Sequence, residues 1–198
     1  MIDFTARIAS RIEQARANLA AMQTDTILHQ QLANAAQACI TCLRGGGKVL
    51  LAGNGGSAAD AQHIAGELVS RFNFDRPGLA AVALTTDTSI LTAIGNDYGY
   101  ERLFARQVQA LGRAGDIFIA YSTSGASANI LAALRTAREA GLVTIGFTGA
   151  RQAPMPALCD HVLAVPSVNT PEIQAGHLVL GHILCELIES TLFTPPAR

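Results

Sequence analysis

Apolar residues in the first quarter of the chain return every three to four positions. This spacing predicts two helices, Asp3 to Met22 and Thr26 to Leu43, the second with a stripe of Ile27, Leu32, Ala36, Cys39, Ile40 and Leu43. After Gly45-Gly46-Gly47 the period changes. Short apolar runs at Val49 to Ala52, Ala81 to Thr85, Ile117 to Tyr121, Val143 to Phe147 and His161 to Val165 read as strands. Between and after them lie helical stretches, including Ala58 to Phe72, Tyr100 to Leu111, Ala126 to Ala140 and a long last helix over about Thr170 to Leu192. The strand runs do not alternate apolar with polar, so both faces of the sheet should be covered. The expectation is an α/β three-layer sandwich around a central parallel sheet, flavodoxin-like, with right-handed crossovers and added N-terminal helices. In such a sheet, ligands sit at the C-terminal ends of the strands.

Two strand ends carry the same kind of turn. Val49-Leu50-Leu51-Ala52 runs into Gly53-Asn54-Gly55-Gly56-Ser57, and Ile117-Phe118-Ile119-Ala120-Tyr121 into Ser122-Thr123-Ser124-Gly125-Ala126-Ser127. Each opens a helix, so backbone N–H groups and hydroxyls converge where the helix dipole is positive, which is an anion site. One hydroxyl suffices to cap a helix. Four of them (Ser122, Thr123, Ser124, Ser127) at one helix start point to an anionic guest.

Composition narrows the partners. The 198 residues fit one domain, 1–198, with 1–45 a helical packing and oligomerisation segment. Charged residues make up 15% against 49% apolar, below the roughly 25% charged of an average domain, so an oligomer is expected. A net charge of −1 without a basic run argues against a nucleic-acid surface. The sole lysine, Lys48, precedes the first strand instead of closing a phosphate loop, which excludes a Walker-type site. The opening Met-Ile-Asp-Phe carries no cationic leader, and no apolar run is long enough to span a bilayer, so a cytoplasmic protein with no membrane partner is expected. Cys39, Cys42, Cys159 and Cys185 lack zinc-ribbon spacing and read as core thiols.

Titratable residues collect on two helices. His63 and Glu67 are four apart, one above the other on a helical face, and the last helix carries Gln174, His177 and His182. An i, i+4 His/Glu pair is also a common solvated contact. Gln174 and His182 are eight apart, about 12 Å along a helix at ~1.5 Å per residue. They can share a ligand only if both lean inward or come from different subunits. His29 and His161 have no partner in view and receive no role.

Taken in order, Gly53 to His63, Gly66-Glu67, Asn96-Asp97, Ser122 to Asn129, Gln174 and His182 resemble the sugar isomerase (SIS) domain family of bacterial phosphoheptose isomerases nearly end to end. The resemblance implies isomerisation of D-sedoheptulose 7-phosphate to D-glycero-D-manno-heptose 7-phosphate, for the activated heptose of lipopolysaccharide or capsule. It also implies a cytoplasmic homotetramer with one zinc per subunit and active sites between subunits. On this resemblance the substrate contacts are Asn54, Gly55, Gly56, Glu67, Asn96, Asp97, Ser122, Thr123, Ser124, Ser127 and Gln174. The metal ligands are His63, Glu67, Gln174 and His182. Pro171-Glu172 departs from the acidic-then-basic pair of some members.

Moving a carbonyl between C1 and C2 requires a base for a carbon-bound proton and an acid/base group to manage the enediol. Glu67 is assigned as the base and His182 as its acid/base partner. Two other readings stand beside this one: an isomerase of another sugar phosphate, and a non-enzymatic SIS protein that binds the replication initiator. The initiator-binding relatives generally lack the acid and the histidine at these two positions.

Overall fold

Successive strand residues feed two separate cores, which is why the strand runs show no apolar/polar alternation. Val49, Leu51, Ile117, Ile119, Tyr121, Ile145, Phe147 and Leu163 face one cluster, while Leu50, Ala52, Phe118 and Ala120 face another. The computed structural model describes residues 3–151 and 153–194. Five strands form a parallel sheet: β1 (Val49–Ala52), β2 (Ala81–Ala83), β3 (Ile117–Tyr121), β4 (Val143–Thr148) and β5 (His161–Ala164). Their order is β2-β1-β3-β4-β5, with Val49 opposite both Ala81 and Ile117, Ile117 opposite Val143, and Ile145 opposite His161.

Helices cover both faces. On the first lie α2 (Thr26–Arg44), α3 (Gly56–Val69) and α7 (Thr170–Leu192), with α1 (Phe4–Thr24) outside them contributing Met22. On the second lie α5 (Leu103–Leu111) and α6 (Ala128–Glu139), approached by α4 (Thr88–Tyr98). Three layers result, as the sequence pattern predicts. Asp3 and Asp25 cap α1 and α2, their carboxylates accepting from the Ala6 and Leu28 N–H groups.

The structure corrects several boundaries. Ile27 stands exposed at 75%, and the buried stripe of α2 instead runs through Leu28, Leu32, Ala35, Ala36, Cys39, Ile40 and Cys42. The expected stripe was one residue out at its start, because Leu28, four residues before Leu32, shares its helical face and Ile27 does not. The stretch expected as one helix from Tyr100 splits into a 3-10 turn at Tyr100–Arg102 and then α5. Helix α4 escaped the sequence reading because none of its residues is fully buried and its apolar face is short, with Leu91 and Ile94 half-buried against the second core. Cys39, Cys42 and Cys185 are core thiols, whereas Cys159 is only partly buried.

The sole lysine is engaged at the far end of the sheet. Asp116, just before β3, accepts from the Lys48 and Arg113 N–H groups at 2.9 Å each and pairs with the Lys48 ammonium, stapling the starts of β1 and β3.

Candidate functional site

Strands β1 and β3 are neighbours whose chains leave in opposite directions, β1 toward β2 and β3 toward β4. This is the switch point of an open parallel sheet, where a crevice opens between the two departing turns. Both glycine/serine turns stand at this crevice, one after each strand.

The first turn is built for close approach. Gly55 has φ +58°, a conformation that L side chains rarely adopt, and caps α3 without a side chain. A Cβ on Gly53 would collide with the Ser57 backbone, so only glycine lets the chain fold back there. Ser57, Ala58 and Ala59 N–H groups are taken up by the Asn54 and Gly55 carbonyls. The N–H groups of Gly55 and Gly56 have no acceptor among the described residues. In the second turn the Ser122 and Ser127 hydroxyls share a 3.1 Å hydrogen bond, and Ser122 lies 3.5 Å from the Ser124 hydroxyl. Ser127 is the N-cap of α6 by position, yet its hydroxyl caps nothing. The first N–H groups of α6, those of Ala128 and Asn129, are likewise unsatisfied among the described residues. Hydroxyls and free amides thus converge at the start of α6, and among the described residues no Lys or Arg hydrogen-bonds to them.

Helices α3 and α7 run side by side, and their contact assembles the titratable group. Gly181 lets α7 approach so closely that a Cβ there would meet the Ile64 side chain at 2.7 Å. Immediately beside this contact, His63 Nε2 lies 2.8 Å from His182 Nε2 and 3.4 Å from Glu67 Oε1. One imidazole can donate to the other only if it carries the proton and its neighbour does not. The ligand atoms of His63, Glu67 and His182 all lie within 4.8 Å of one another. Exposure falls from 44% for the His63 side chain to 24% for Glu67. The group is open to a small molecule on one side and packed on the other, where the Phe72 ring lies 5.5 Å from that of His182.

The remaining residues expected at the site are more dispersed. Gln174 lies over the first turn, so that a Cβ on Gly56 would strike its amide. It therefore sits at the opposite end of the α3–α7 contact from His182, about 12 Å along the helix at ~1.5 Å per residue. Within one chain the titratable group comprises three residues, and Gln174 serves the glycine turn. Asn96 and Asp97 are exposed on α4, the Asn96 amide donating to Asp97 at 2.8 Å.

Asp60 received no role from the sequence, and His177 was placed on the last helix without its burial. Asp60, three residues before His63, has one carboxylate oxygen buried without a partner, and burial raises its pKa above the usual carboxylate range. Its i, i+3 spacing to His63 was the available signal. His177 is fully buried, donates to or accepts from nothing at Nδ1, and touches the Thr148 carbonyl at 3.1 Å through Nε2. Burial pushes its pKa down to about 4, against the opposing pull of that carbonyl.

Comparison with known proteins supplies an independent line. The SIS domain family model matches residues 10–149. A phosphoheptose isomerase of Burkholderia pseudomallei is 64% identical over 186 residues, 94% of this chain and 94% of the relative. Among solved structures, a phosphoheptose isomerase from Francisella tularensis superposes with a TM-score of 0.91 at 38% identity, covering 96% of this chain and 100% of that one. One from Neisseria gonorrhoeae gives 0.88 at 42% identity, over 95% and 100%.

Proposed function

The chain belongs to the SIS domain family and, within it, to the phosphoheptose isomerases, and on that premise we propose that it interconverts D-sedoheptulose 7-phosphate and D-glycero-D-manno-heptose 7-phosphate. It is thus an intramolecular oxidoreductase supplying activated heptose for lipopolysaccharide or capsule. One observation carries the mechanism: a carboxylate and two imidazoles converge between α3 and α7, on the helix that leaves the first anion turn. The replication-initiator reading is set aside, since Glu67 and His182 are both present and brought together.

The roles follow from chemistry and position. The hydroxyls of Ser122, Thr123, Ser124 and Ser127 and the free amides opening α6 hold the 7-phosphate. Binding energy from this remote group then orients the reacting end. Gly55 and Gly56 amides, the Asn54 turn and Gln174 line the approach of the sugar, with Asn96 and Asp97 completing the contacts. Glu67 takes the carbon-bound proton at C1 and returns it at C2. His182 moves protons at the carbonyl and enediol oxygens.

His63, Glu67 and His182 also suit a divalent metal, with one zinc per subunit the proposed ion; Gln174, which within its own chain lies over the glycine turn, is its proposed fourth ligand from a neighbouring subunit. Imidazole and carboxylate are the donors zinc takes, and tetrahedral ligands at about 2.0–2.1 Å stand about 3.3 Å apart, near the 2.8 and 3.4 Å found. When bound, such an ion supplies Lewis acidity toward the sugar oxygens. Glu67 turns Oε1 toward His63, leaving its second oxygen for the proton.

Self-association is part of the proposal, as a cytoplasmic homotetramer of single SIS domains (1–198) joined through the helices of residues 1–45. Phe4, Ile8 and Ile12 of α1 are 72%, 60% and 65% exposed at four-residue spacing, a stripe suited to another copy. A cavity of about 570 Å³ among α1, α2 and α7, lined by Leu19, Leu28, Val179 and Ile183, continues this apolar face.

Proton NMR in D2O tests the reaction. Sedoheptulose 7-phosphate incubated with the protein and zinc should yield aldose anomeric signals with solvent deuterium at C2. A folded, metal-supplied protein that forms no product would overturn this substrate. Chelated, metal-free protein that keeps full activity would overturn the metal's catalytic role.

A further inference from the structure

Three side chains from three separate elements meet beside the crevice, and two of them are not among the expected contacts. Asn54 comes from the first turn, Asn129 from the first turn of α6, and Tyr100 from the 3-10 turn that follows α4. The Asn54 amide nitrogen donates to Asn129 Oδ1 at 2.9 Å, and the Asn129 amide nitrogen donates back to Asn54 Oδ1 at 2.8 Å. The Tyr100 hydroxyl donates to the same Asn54 oxygen at 2.9 Å. Both lone pairs of that oxygen are therefore used, and one N–H of the Asn54 amide is left over. Asn129 is buried at 3% exposure, where an amide without partners is costly, so the closed pair is strongly held.

From this geometry we propose that Tyr100 and Asn129 are positioning residues of the isomerase. Acting through Asn54, they set the gap between the two anion-binding turns and the aim of the Gly55 and Gly56 N–H groups. The amide pair is a strut across the switch-point crevice, because one partner leaves β1 and the other opens the helix after β3. Tyr100 extends the strut to the segment bearing Asn96 and Asp97. This tie adds to the half-buried contacts of Leu91 and Ile94, since no residue of α4 is fully buried. The tyrosine also walls a cavity of about 350 Å³ with Asn54, Gly55, Thr85 and Leu91, so its hydroxyl lies at the edge of the space a ligand would enter.

The inference rests on the isomerase reading, and the test separates the two. Tyr100→Phe removes one hydroxyl from an exposed side chain and leaves the fold intact. A net hydrogen bond is worth about 0.5–1.5 kcal/mol, which predicts a KM for sedoheptulose 7-phosphate raised about two- to tenfold with kcat within about twofold. In an Asn54→Ala background the same substitution should change nothing further, because both act through one side chain. A merely structural tyrosine would show its full effect in either background. Calorimetric binding of the same sugar phosphate is read in parallel. A wild type that binds without turning over sinks the isomerase reading, and the affinity lost in Tyr100→Phe still judges the strut. An unchanged KM and affinity in Tyr100→Phe, or an undiminished effect on Asn54→Ala, would overturn the proposal.

Discussion

Glu189 is the place where a single atom change should cost this protein most. Its carboxylate lies near the end of α7 at 1% exposure, paired with Arg76 at 2%. Oε1 accepts from the Phe72 N–H at 2.8 Å and from Arg76 Nε at 3.0 Å, and Oε2 accepts from the Asn73 N–H at 2.6 Å. Arg76 in turn donates to the Leu68 and Glu67 carbonyls at 2.7 and 2.9 Å, closing the end of α3. Glu189→Gln keeps the shape but exchanges one acceptor for an NH2 group. One backbone N–H then faces a donor, and a buried guanidinium loses its counter-charge. Breaking a buried pair from one side costs about 3–5 kcal/mol. With a urea m-value of about 1–3 kcal/mol/M, the unfolding midpoint should fall by about 1 M or more. The assay is urea unfolding followed by circular dichroism, at one protein concentration because self-association adds to apparent stability. Arg76→Met combined with Glu189→Leu should be less damaging than the two single losses summed, since no charge is then stranded. A loss below about 1 kcal/mol for Glu189→Gln would refute the reasoning and mean that water reaches the pair. Acid adds a second signature. Burial raises the Glu189 pKa, but the Phe72 and Asn73 amides and Arg76 together bring it below its ordinary 4.5. Its contribution is therefore complete above pH 4.5 and is lost as pH falls through the lower native value.

Three further outcomes are expected. Glu67→Gln should abolish turnover while leaving the unfolding free energy within about 1 kcal/mol of wild type, as expected for a partly exposed side chain exchanged for one of the same shape; near-normal turnover in the NMR assay would remove its role as base. His177, held neutral by burial with its pKa near 4 instead of 6.5, contributes stability that is fully present above pH 6.5 and drains away as pH falls toward 4. At ~1.4 kcal/mol per unit this is about 3 kcal/mol, and His177→Gln should flatten the 6.5-to-5 segment of a stability-versus-pH curve. Gly53→Ala drives a methyl into the Ser57 backbone and should destabilise the protein by more than about 2 kcal/mol, whereas Gly66→Ala, on the open surface of the helix that follows, should not. Thermal unfolding of the two variants side by side checks the contrast.

Much of this molecule is written locally, and the sequence determined it unaided. Five apolar runs without alternation announce a sheet covered on both faces, because the two cores take odd and even strand residues in turn. The glycine and hydroxyl clusters after Ala52 and Tyr121 mark the anion turns, since backbone geometry there depends on residues within one turn of each other. The His63–Glu67 pair is legible for the same reason, being a matter of helical period alone. Helix α4 was not legible: no residue of it is fully buried, and the half-buried Leu91 and Ile94 that pack against the core are too short an apolar face to set a period. Only the tertiary structure decided what joins these pieces. Bringing His182 to within 2.8 Å of His63 requires α7 to lie along α3, which Gly181 permits by giving way to Ile64. The same long-range packing moves Gln174 to the glycine turn, buries His177, and ties Asn54 to Asn129 and Tyr100. Spacing along one helix fixes which residues share a face, but which faces meet depends on how two cores close around the sheet, and that is a property of the whole chain.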